Sequence, residues 1–167
     1  GLFWIRLIDA QVLAALALGS LLWLAKIEVL ALLLVLVALF APFVFWALRH
    51  KLSARVASMR AGKLQTLFDK ALTGLPRDRA HFARGVLLTW ANWLVKLAAL
   101  AWVLRQFAPM TWTAAGLGVL GGEVTSVLPI HAPGGFGTYE AGMLAALLPQ
   151  GLNLESASMA AINTHLF

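Results

Sequence analysis

Long apolar segments constrain the fold of this chain more than any other feature of its sequence. Residues 10–27 and 29–48 are predominantly apolar, and only Lys26 and Glu28 carry charge. As a single helix the two segments would be roughly 58 Å long at about 1.5 Å per residue, whereas a bilayer core is only about 30 Å thick. We therefore predict a transmembrane helical hairpin. Pro42 lies within its second helix, where it is tolerated if a neighbouring helix or water bonds the carbonyl that proline leaves free.

The overall composition also indicates a membrane environment. Hydrophobic residues make up 61% of the 167 residues, charged residues make up 12%, and the mean hydropathy is +0.84. These values lie outside the usual range of soluble domains. The chain has no cysteine, which excludes disulfides, thiolate metal sites and cysteine nucleophiles. We predict an all-α, polytopic transmembrane helical bundle.

Residues 49–84 differ from the rest of the chain because they contain nine of its thirteen Lys and Arg residues. The positive-inside rule predicts that this segment is cytoplasmic. Apolar residues recur at helical spacing from Leu52 to Leu75, while most of the basic residues fall elsewhere on the helical wheel. This pattern favours an amphipathic helix on anionic headgroups, and a solvated basic connector is the alternative. Nucleic-acid binding is not expected, since the segment lacks interleaved aromatic residues and any known binding motif.

Residues 86–104 form a third predicted span, which runs outward from the basic segment. Asn92 and Lys96 lie one helical turn apart on the same face of this span. Polar groups with this spacing in hydrocarbon indicate a stripe that faces the interior of the protein. Six of the seven tryptophans, including Trp46, lie near predicted span ends, as in the aromatic belt of membrane proteins.

Beyond residue 113 the chain becomes rich in glycine, and residues 129–137 read PIHAPGGFG. Glycines beside prolines let a helix stop and restart. One half-length segment ends near Leu128, and another starts near Thr138. Hydrocarbon offers backbone groups no water, so such a break requires protein or a polar cavity to bind its free groups. We predict broken or re-entrant helices at this point.

Glu140 is the first candidate functional residue. A carboxylate at the centre of a bilayer costs on the order of 2.5–3.5 kcal/mol on insertion scales, so it requires a partner. If Thr138 starts a helix, Glu140 lies in its first turn, where it either caps backbone N–H groups or serves as a functional carboxylate. Both alternatives remain open from the sequence.

Lys96 is the candidate counter-charge within a span. We expect it either to pair with Glu123 or Glu140, or to extend to the membrane interface without a partner. His131 and His165, together with Asn163, are further polar residues in this region, and hydrogen-bonded structural roles are favoured for the histidines.

The glycine-rich element supplies a second kind of candidate site. Backbone N–H groups of Gly134, Gly135 and Gly137, with His131 beside them, could receive an anion such as a phosphate headgroup. The alternative is that the glycines only permit a tight turn. The His and acidic residues lack metal-site spacing, and no catalytic dyad or serine elbow is present. We therefore predict no metal, no cofactor and no enzymatic activity.

The residues around this break resemble a known family signature. Residues 121–130 read GGEVTSVLPI, and residues 133–142 read PGGFGTYEAG. The pattern of a Pro-rich approach, a Gly-Gly-x-Gly element and a Glu-Ala pair resembles the lysylphosphatidylglycerol synthase transmembrane-region family. That family includes the flippase-like membrane domain of the multiple peptide resistance factor. The resemblance covers roughly residues 52–167.

The resemblance implies a polytopic protein of the inner cell membrane that moves lipids or lipid-linked molecules between leaflets. The implied cargo is an anionic phospholipid or a polyprenyl-phosphate-linked lipid. The alternative is a non-catalytic membrane module that docks or supplies a lipid- or glycan-modifying enzyme, with that enzyme or a second copy of the chain as its partner. The chain is shorter than a typical member, so we expect it to be a fragment. It has no soluble aminoacyl-transferase domain, and synthase chemistry is therefore not implied.

These expectations divide one membrane domain into three parts. Residues 1–48 form the transmembrane hairpin, and residues 49–84 form the basic cytoplasmic amphipathic segment. Residues 85–167 form a transmembrane region with the Gly/Pro-rich re-entrant element.

Overall fold

The computed structural model describes residues 2–57, 62–127 and 135–167, and within these ranges the chain forms seven α-helices and no strand. A 3₁₀ turn, Leu148–Gln150, precedes the last helix. The helices are α1 (Leu2–Leu24), α2 (Glu28–Ala57), α3 (Lys63–Thr73), α4 (Arg79–Phe107), α5 (Trp112–Val127), α6 (Thr138–Leu147) and α7 (Leu154–Leu166). The predicted all-α class is confirmed.

Helices α1 and α2 form a hairpin around a tight turn. The turn contains no glycine, and Lys26 adopts the left-handed conformation there with φ of 63°. The N–H groups of Lys26 and Ile27 donate to the carbonyls of Trp23 and Leu22, which closes the end of α1. These bonds compensate for the strain of a left-handed non-glycine residue.

Pro42 lies inside α2, and the helix continues through it to Ala57. A proline at this position removes the N–H that would otherwise donate to the carbonyl of Ala38, four residues earlier. Gln11 of α1 replaces that donor, with its Nε2 2.6 Å from the Ala38 oxygen. A neighbouring helix therefore bonds the freed carbonyl, as a proline within a membrane span requires.

The basic segment contains the end of α2, all of α3 and the start of α4. The amphipathic pattern is divided, because α2 extends past residue 48 and α3 begins only at Lys63. Ala71 and Leu75 are buried against the bundle, whereas Leu67 and Phe68 are exposed. The C-terminal part of the amphipathic segment thus packs on the helical hairpin.

Helix α4 begins at Arg79, whereas the third span was expected to begin at residue 86. The reason is a cap: the side chain of Asp78 accepts a hydrogen bond of 2.8 Å from the backbone N–H of His81. Asp at this position satisfies an otherwise free N–H group and lets the helix begin among polar residues. Helices α1, α2 and α4 are long and apolar enough to cross a membrane.

Helices α5 and α6 are antiparallel and meet through glycines. A Cβ atom on Gly121 would lie 2.3 Å from the carbonyl oxygen of Gly142, and a Cβ on Gly142 would lie 2.4 Å from that of Gly121. The two backbones are therefore in direct contact. At about 1.5 Å per residue, α5 spans roughly 24 Å and α6 roughly 15 Å, so both are shorter than a bilayer core. Residues 128–134, which contain most of the predicted break, lie outside the described residues.

Candidate functional site

A polar cluster runs across five helices of the bundle, α1 and α4 to α7. At its centre, Nζ of Lys96 on α4 donates to Oε2 of Glu123 on α5 at 2.7 Å. Glu123 is only 4% exposed, so its charge depends on this partner. Of the two carboxylates considered for Lys96 from the sequence, the structure brings Glu123 to it.

The Lys96 side chain is 44% exposed although its partner is buried. Its ammonium lies 4.9 Å from the centre of the Trp93 ring, at cation–π distance. The indole Nε1 of Trp93 donates to Oδ1 of Asp9 on α1 at 3.0 Å. Trp93 thus lies between the lysine and a second carboxylate.

Asp9 was not identified from the sequence. The predicted first span started at residue 10, which left Asp9 just outside it, whereas α1 begins at Leu2 and contains Asp9. A carboxylate one residue before an apolar segment was the available signal, but nothing in the sequence indicated Trp93 as its partner.

The second oxygen of Glu123 faces α6. Oε1 of Glu123 lies 3.5 Å from the hydroxyl of Tyr139, a long contact in which the hydroxyl donates. Tyr139 is buried, and its ring lies against Gly122 in α5, where a Cβ would come within 2.8 Å of it. The absence of a side chain at Gly122 therefore allows Tyr139 to lie beside Glu123.

Glu140 forms a second carboxylate contact in the cluster. Its Oε2 accepts a hydrogen bond of 2.6 Å from the backbone N–H of Gly137, which caps α6. Its Oε1 lies 2.5 Å from Nδ1 of His165 on α7. The capping contact considered from the sequence is present, and a second helix is held by the same carboxylate.

His165 is enclosed by aromatic rings. The ring centres of Phe136 and Tyr139 lie 4.8 Å and 4.6 Å from its own. Gly135 lies beside the same imidazole, since a Cβ there would be 3.7 Å from its ring. Of the polar residues near the chain's end, Asn163 instead donates to the carbonyl of Met159 in its own helix.

The predicted anion-binding glycines are only partly described. Gly135 and Gly137 have φ values of 76° and 86°, a conformation that favours glycine. The N–H of Gly137 donates to Glu140, so in this arrangement it is not directed at an external anion. Gly134 and His131 lie outside the described residues.

Asn92 remains apart from the cluster. It is exposed on α4 one turn before Lys96, and Lys96 is the member of the predicted stripe that bonds a side chain of α5. In the part of the chain that the structure describes, no group of three or more His, Cys, Asp or Glu side chains is arranged to hold a metal ion.

An apolar cavity of about 520 Å³ lies beside the cluster, between α1 and the α5–α6 pair. Its wall includes the glycine contact between α5 and α6 and reaches the residues that follow Glu123. The lining includes Leu21, Leu117, Gly121, Val124, Thr125 and Gly142. The cavity thus follows the face of α5 that carries Gly121 and Val124, and neither Lys96 nor Glu123 is among the described residues that line it.

Comparison with known families extends the resemblance noted in the sequence. Residues 2–167 match the family described as "Lysylphosphatidylglycerol synthase TM region". Comparison with curated proteins and with solved structures gave no significant match. The match covers essentially the whole chain and agrees with its three membrane-length helices. The chain therefore belongs to the lysylphosphatidylglycerol synthase transmembrane-region family and is an integral membrane protein.

Proposed function

We propose that this protein is a flippase-like translocase that moves an anionic lipid between leaflets. The cargo is an anionic phospholipid or a polyprenyl-phosphate-linked lipid. The observation that carries the proposal is the half-exposed side chain of Lys96, whose ammonium lies 2.7 Å from the buried carboxylate of Glu123. A charge at this position in a membrane-crossing helix is expensive, and such charges mark substrate pathways.

The Lys96 ammonium is suited to receive a phosphate. An ammonium has three donors, and Glu123 accepts from one of them. Because the Lys96 side chain is 44% exposed, we infer that the remaining donors are accessible from outside the α4–α5 contact. Glu123 holds the nitrogen in place, and a phosphate oxygen would take up a donor that the protein does not use.

The short helices supply the second support. Helices α5 and α6 are both shorter than a bilayer core, and their polar residues Glu123 and Glu140 lie toward the ends that border residues 128–137. Half-helices that meet within a membrane leave a polar site at its midplane in many transporters. The apolar cavity between α1 and the α5–α6 pair is of a size to accept part of an acyl or prenyl chain.

The experiment is lipid transfer in proteoliposomes that contain fluorescent phosphatidylglycerol, with fluorescent phosphatidylcholine in a parallel set. Lys96→Gln should reduce phosphatidylglycerol transfer at least tenfold. Lys26→Gln, which removes the same charge from the α1–α2 turn, is the matched control and should retain transfer. Equal transfer by Lys96→Gln and the unmodified protein would exclude Lys96 from the headgroup path.

The basic segment favours a second candidate function, a non-catalytic module that docks a lipid- or glycan-modifying enzyme. Its exposed cations include Arg55, Lys63 and Lys70. If docking is the function, reversing the charge of Lys63 and Lys70 should abolish recovery of a crosslinked partner and leave lipid transfer by the purified protein unchanged. Loss of transfer in Lys96→Gln, with partner recovery intact, would favour the translocase.

A further inference from the structure

A polar cavity lies at the basic end of the bundle, formed by elements outside the Lys96 cluster. Its volume is about 300 Å³, and it lies between α2, α3 and the segment that links α3 to α4. Arg49 and His50 line it from α2, Asp69 from α3, and Arg77 from the link. Two separate parts of the chain, α2 and the link, therefore bring arginines to one concave site, and α3 brings a carboxylate.

Trp46 positions the arginines of this cavity. The guanidinium carbon of Arg49 lies 3.8 Å from the centre of the Trp46 ring, and Nη1 of Arg49 donates to the Trp46 carbonyl at 2.9 Å. The indole Nε1 of Trp46 donates to the carbonyl of Pro76 at 3.0 Å. Arg77 follows Pro76 directly, so one indole ties α2 to the backbone that carries the second arginine. Phe82 stacks on the same ring, with centres 5.9 Å apart.

The donors that remain in the cavity belong mainly to the arginines. A guanidinium has five N–H groups, and Arg49 uses one on the Trp46 carbonyl. The hydroxyls of Ser53 and Thr73 also line the cavity but donate to the carbonyls of His50 and Asp69 within their own helices. Arginine is the side chain best suited to bidentate recognition of phosphate oxygens.

The charge balance selects among phosphates. The two arginines and Asp69 together carry one net positive charge. That balance matches the single negative charge of a phosphodiester better than the higher charge of inorganic phosphate. The nearby Asp69 carboxylate disfavours a phosphate that carries a second negative charge.

The surroundings of the cavity match the headgroup level of a membrane. Trp46 belongs to α2, a membrane-length helix, and tryptophan is enriched where hydrocarbon meets headgroups. Leu67 and Phe68 are exposed on α3, which forms one wall of the cavity. These apolar side chains on a short basic helix are typical of insertion into a membrane surface.

We propose that this cavity binds the phosphodiester of an anionic phospholipid from the leaflet at the basic end of the bundle, with Arg49 and Arg77 as its ligands. The site is separate from the headgroup path through Lys96. It does not depend on translocation.

The test is equilibrium binding to the detergent-solubilised protein, followed by its thermal unfolding. Short-chain phosphatidylglycerol, short-chain phosphatidylcholine and inorganic phosphate are titrated separately. We expect the protein to bind phosphatidylglycerol with at least tenfold higher affinity than the other two ligands. Bound phosphatidylglycerol should also raise the unfolding temperature. Arg49→Gln and Arg77→Gln should each weaken that affinity at least fivefold. Arg84→Gln, which removes a charge from the exposed surface of α4, should leave it within twofold.

Three outcomes would overturn the proposal. Equal weakening by Arg84→Gln would mean diffuse attraction to the basic surface rather than a site. Equal affinity for phosphatidylcholine would show that the net charge of the lipid does not determine binding. Affinity for inorganic phosphate as high as for phosphatidylglycerol would identify a soluble phosphate ligand instead of a lipid. Circular dichroism and the unfolding temperature without ligand establish that each variant is folded before binding is compared.

Discussion

Gln11 of α1 donates a 2.6 Å hydrogen bond to the carbonyl of Ala38 in α2, the carbonyl that Pro42 deprives of its backbone donor. One side chain thus completes the hydrogen bonding of a neighbouring helix. The same contact fixes how the first two membrane-length helices lie against each other. It explains why a proline occurs in the middle of a helix that remains continuous.

The Gln11 contact predicts a coupling between two positions. Gln11→Leu leaves the Ala38 carbonyl without a donor and should destabilise the protein by about 1 kcal/mol. In a Pro42→Ala background the backbone N–H of residue 42 can supply the bond, so the same substitution should cost much less. A double-mutant cycle of unfolding free energies measures the difference. Additive effects of the two changes would contradict the assigned role of Gln11.

The Lys96–Glu123 pair predicts rescue by neutralisation. Lys96→Met leaves a buried carboxylate without its counter-charge and should destabilise the protein by about 3 kcal/mol, the lower end for a broken buried pair because Lys96 is half exposed. Glu123→Gln in the same chain removes the stranded charge and should recover most of that loss. Steric-trapping measurements of unfolding in bicelles compare the two variants. Absence of rescue would show that Lys96 acts through packing alone.

The glycine contact between α5 and α6 predicts a position-dependent effect of alanine. Gly121→Ala and Gly142→Ala place a methyl group against backbone and should each cost about 1–3 kcal/mol. Gly116 offers a control in the same helix, since a Cβ there meets nothing within 4 Å. Gly116→Ala should be neutral or stabilising, because alanine favours helix over glycine. The three unfolding temperatures measured side by side decide the prediction.

Glu140 bonds both the Gly137 N–H and His165, and we therefore predict that the stabilities of α6 and α7 are coupled. Glu140→Gln keeps an acceptor for the Gly137 N–H but weakens the bond to the imidazole. Glu140→Ala loses both contacts and should be the more destabilising by about 1–2 kcal/mol, the range of one lost hydrogen bond at a helix start. Hydrogen exchange of the amides at the start of α6 should rise more in the alanine variant. His81→Ala, at an exposed histidine near the basic end, should leave those amides unchanged.

Asp78 predicts a pH dependence at the start of α4. The backbone N–H of His81, followed by its side chain, bonds the Asp78 carboxylate and holds its pKa below the ordinary value. Because the folded-state pKa is the lower one, the stabilisation is present above the unfolded pKa of about 3.9 and is lost as pH falls through the folded value. Protection of the His81 amide from exchange should decline over that acidic window. Asp78→Asn retains an acceptor and should flatten the dependence.

The sequence predicted the large elements because their lengths and composition are set by the bilayer. The hairpin follows from two apolar segments too long for one helix, and the start of α6 at Thr138 follows from the glycine-rich break. The early start of α4 was missed, since the span was defined by hydropathy and the cap at Asp78 lies among charged residues. Helix ends depend on such local bonds as much as on composition.

The partners of the residues in the polar cluster could be identified only from the structure. Helical spacing indicated that Lys96 faces the interior, but it did not distinguish Glu123 from Glu140 as its partner. That choice depends on how α5 rotates against α4, and Gly118 contributes to this packing, because a Cβ there would lie 3.2 Å from Leu104 of α4. Asp9 and His165 bond residues of helices far apart in sequence, so no local pattern indicates their partners.

The two oxygens of Glu140 have a mechanical consequence. One binds the first turn of α6 and the other binds α7, so a displacement that separates these helices must either release His165 or uncap α6. Lateral separation and local unwinding are therefore linked through a single carboxylate. A path that opens between α6 and α7 with the Glu140–His165 contact kept would therefore free the N–H of Gly137 and lengthen the non-helical backbone before α6.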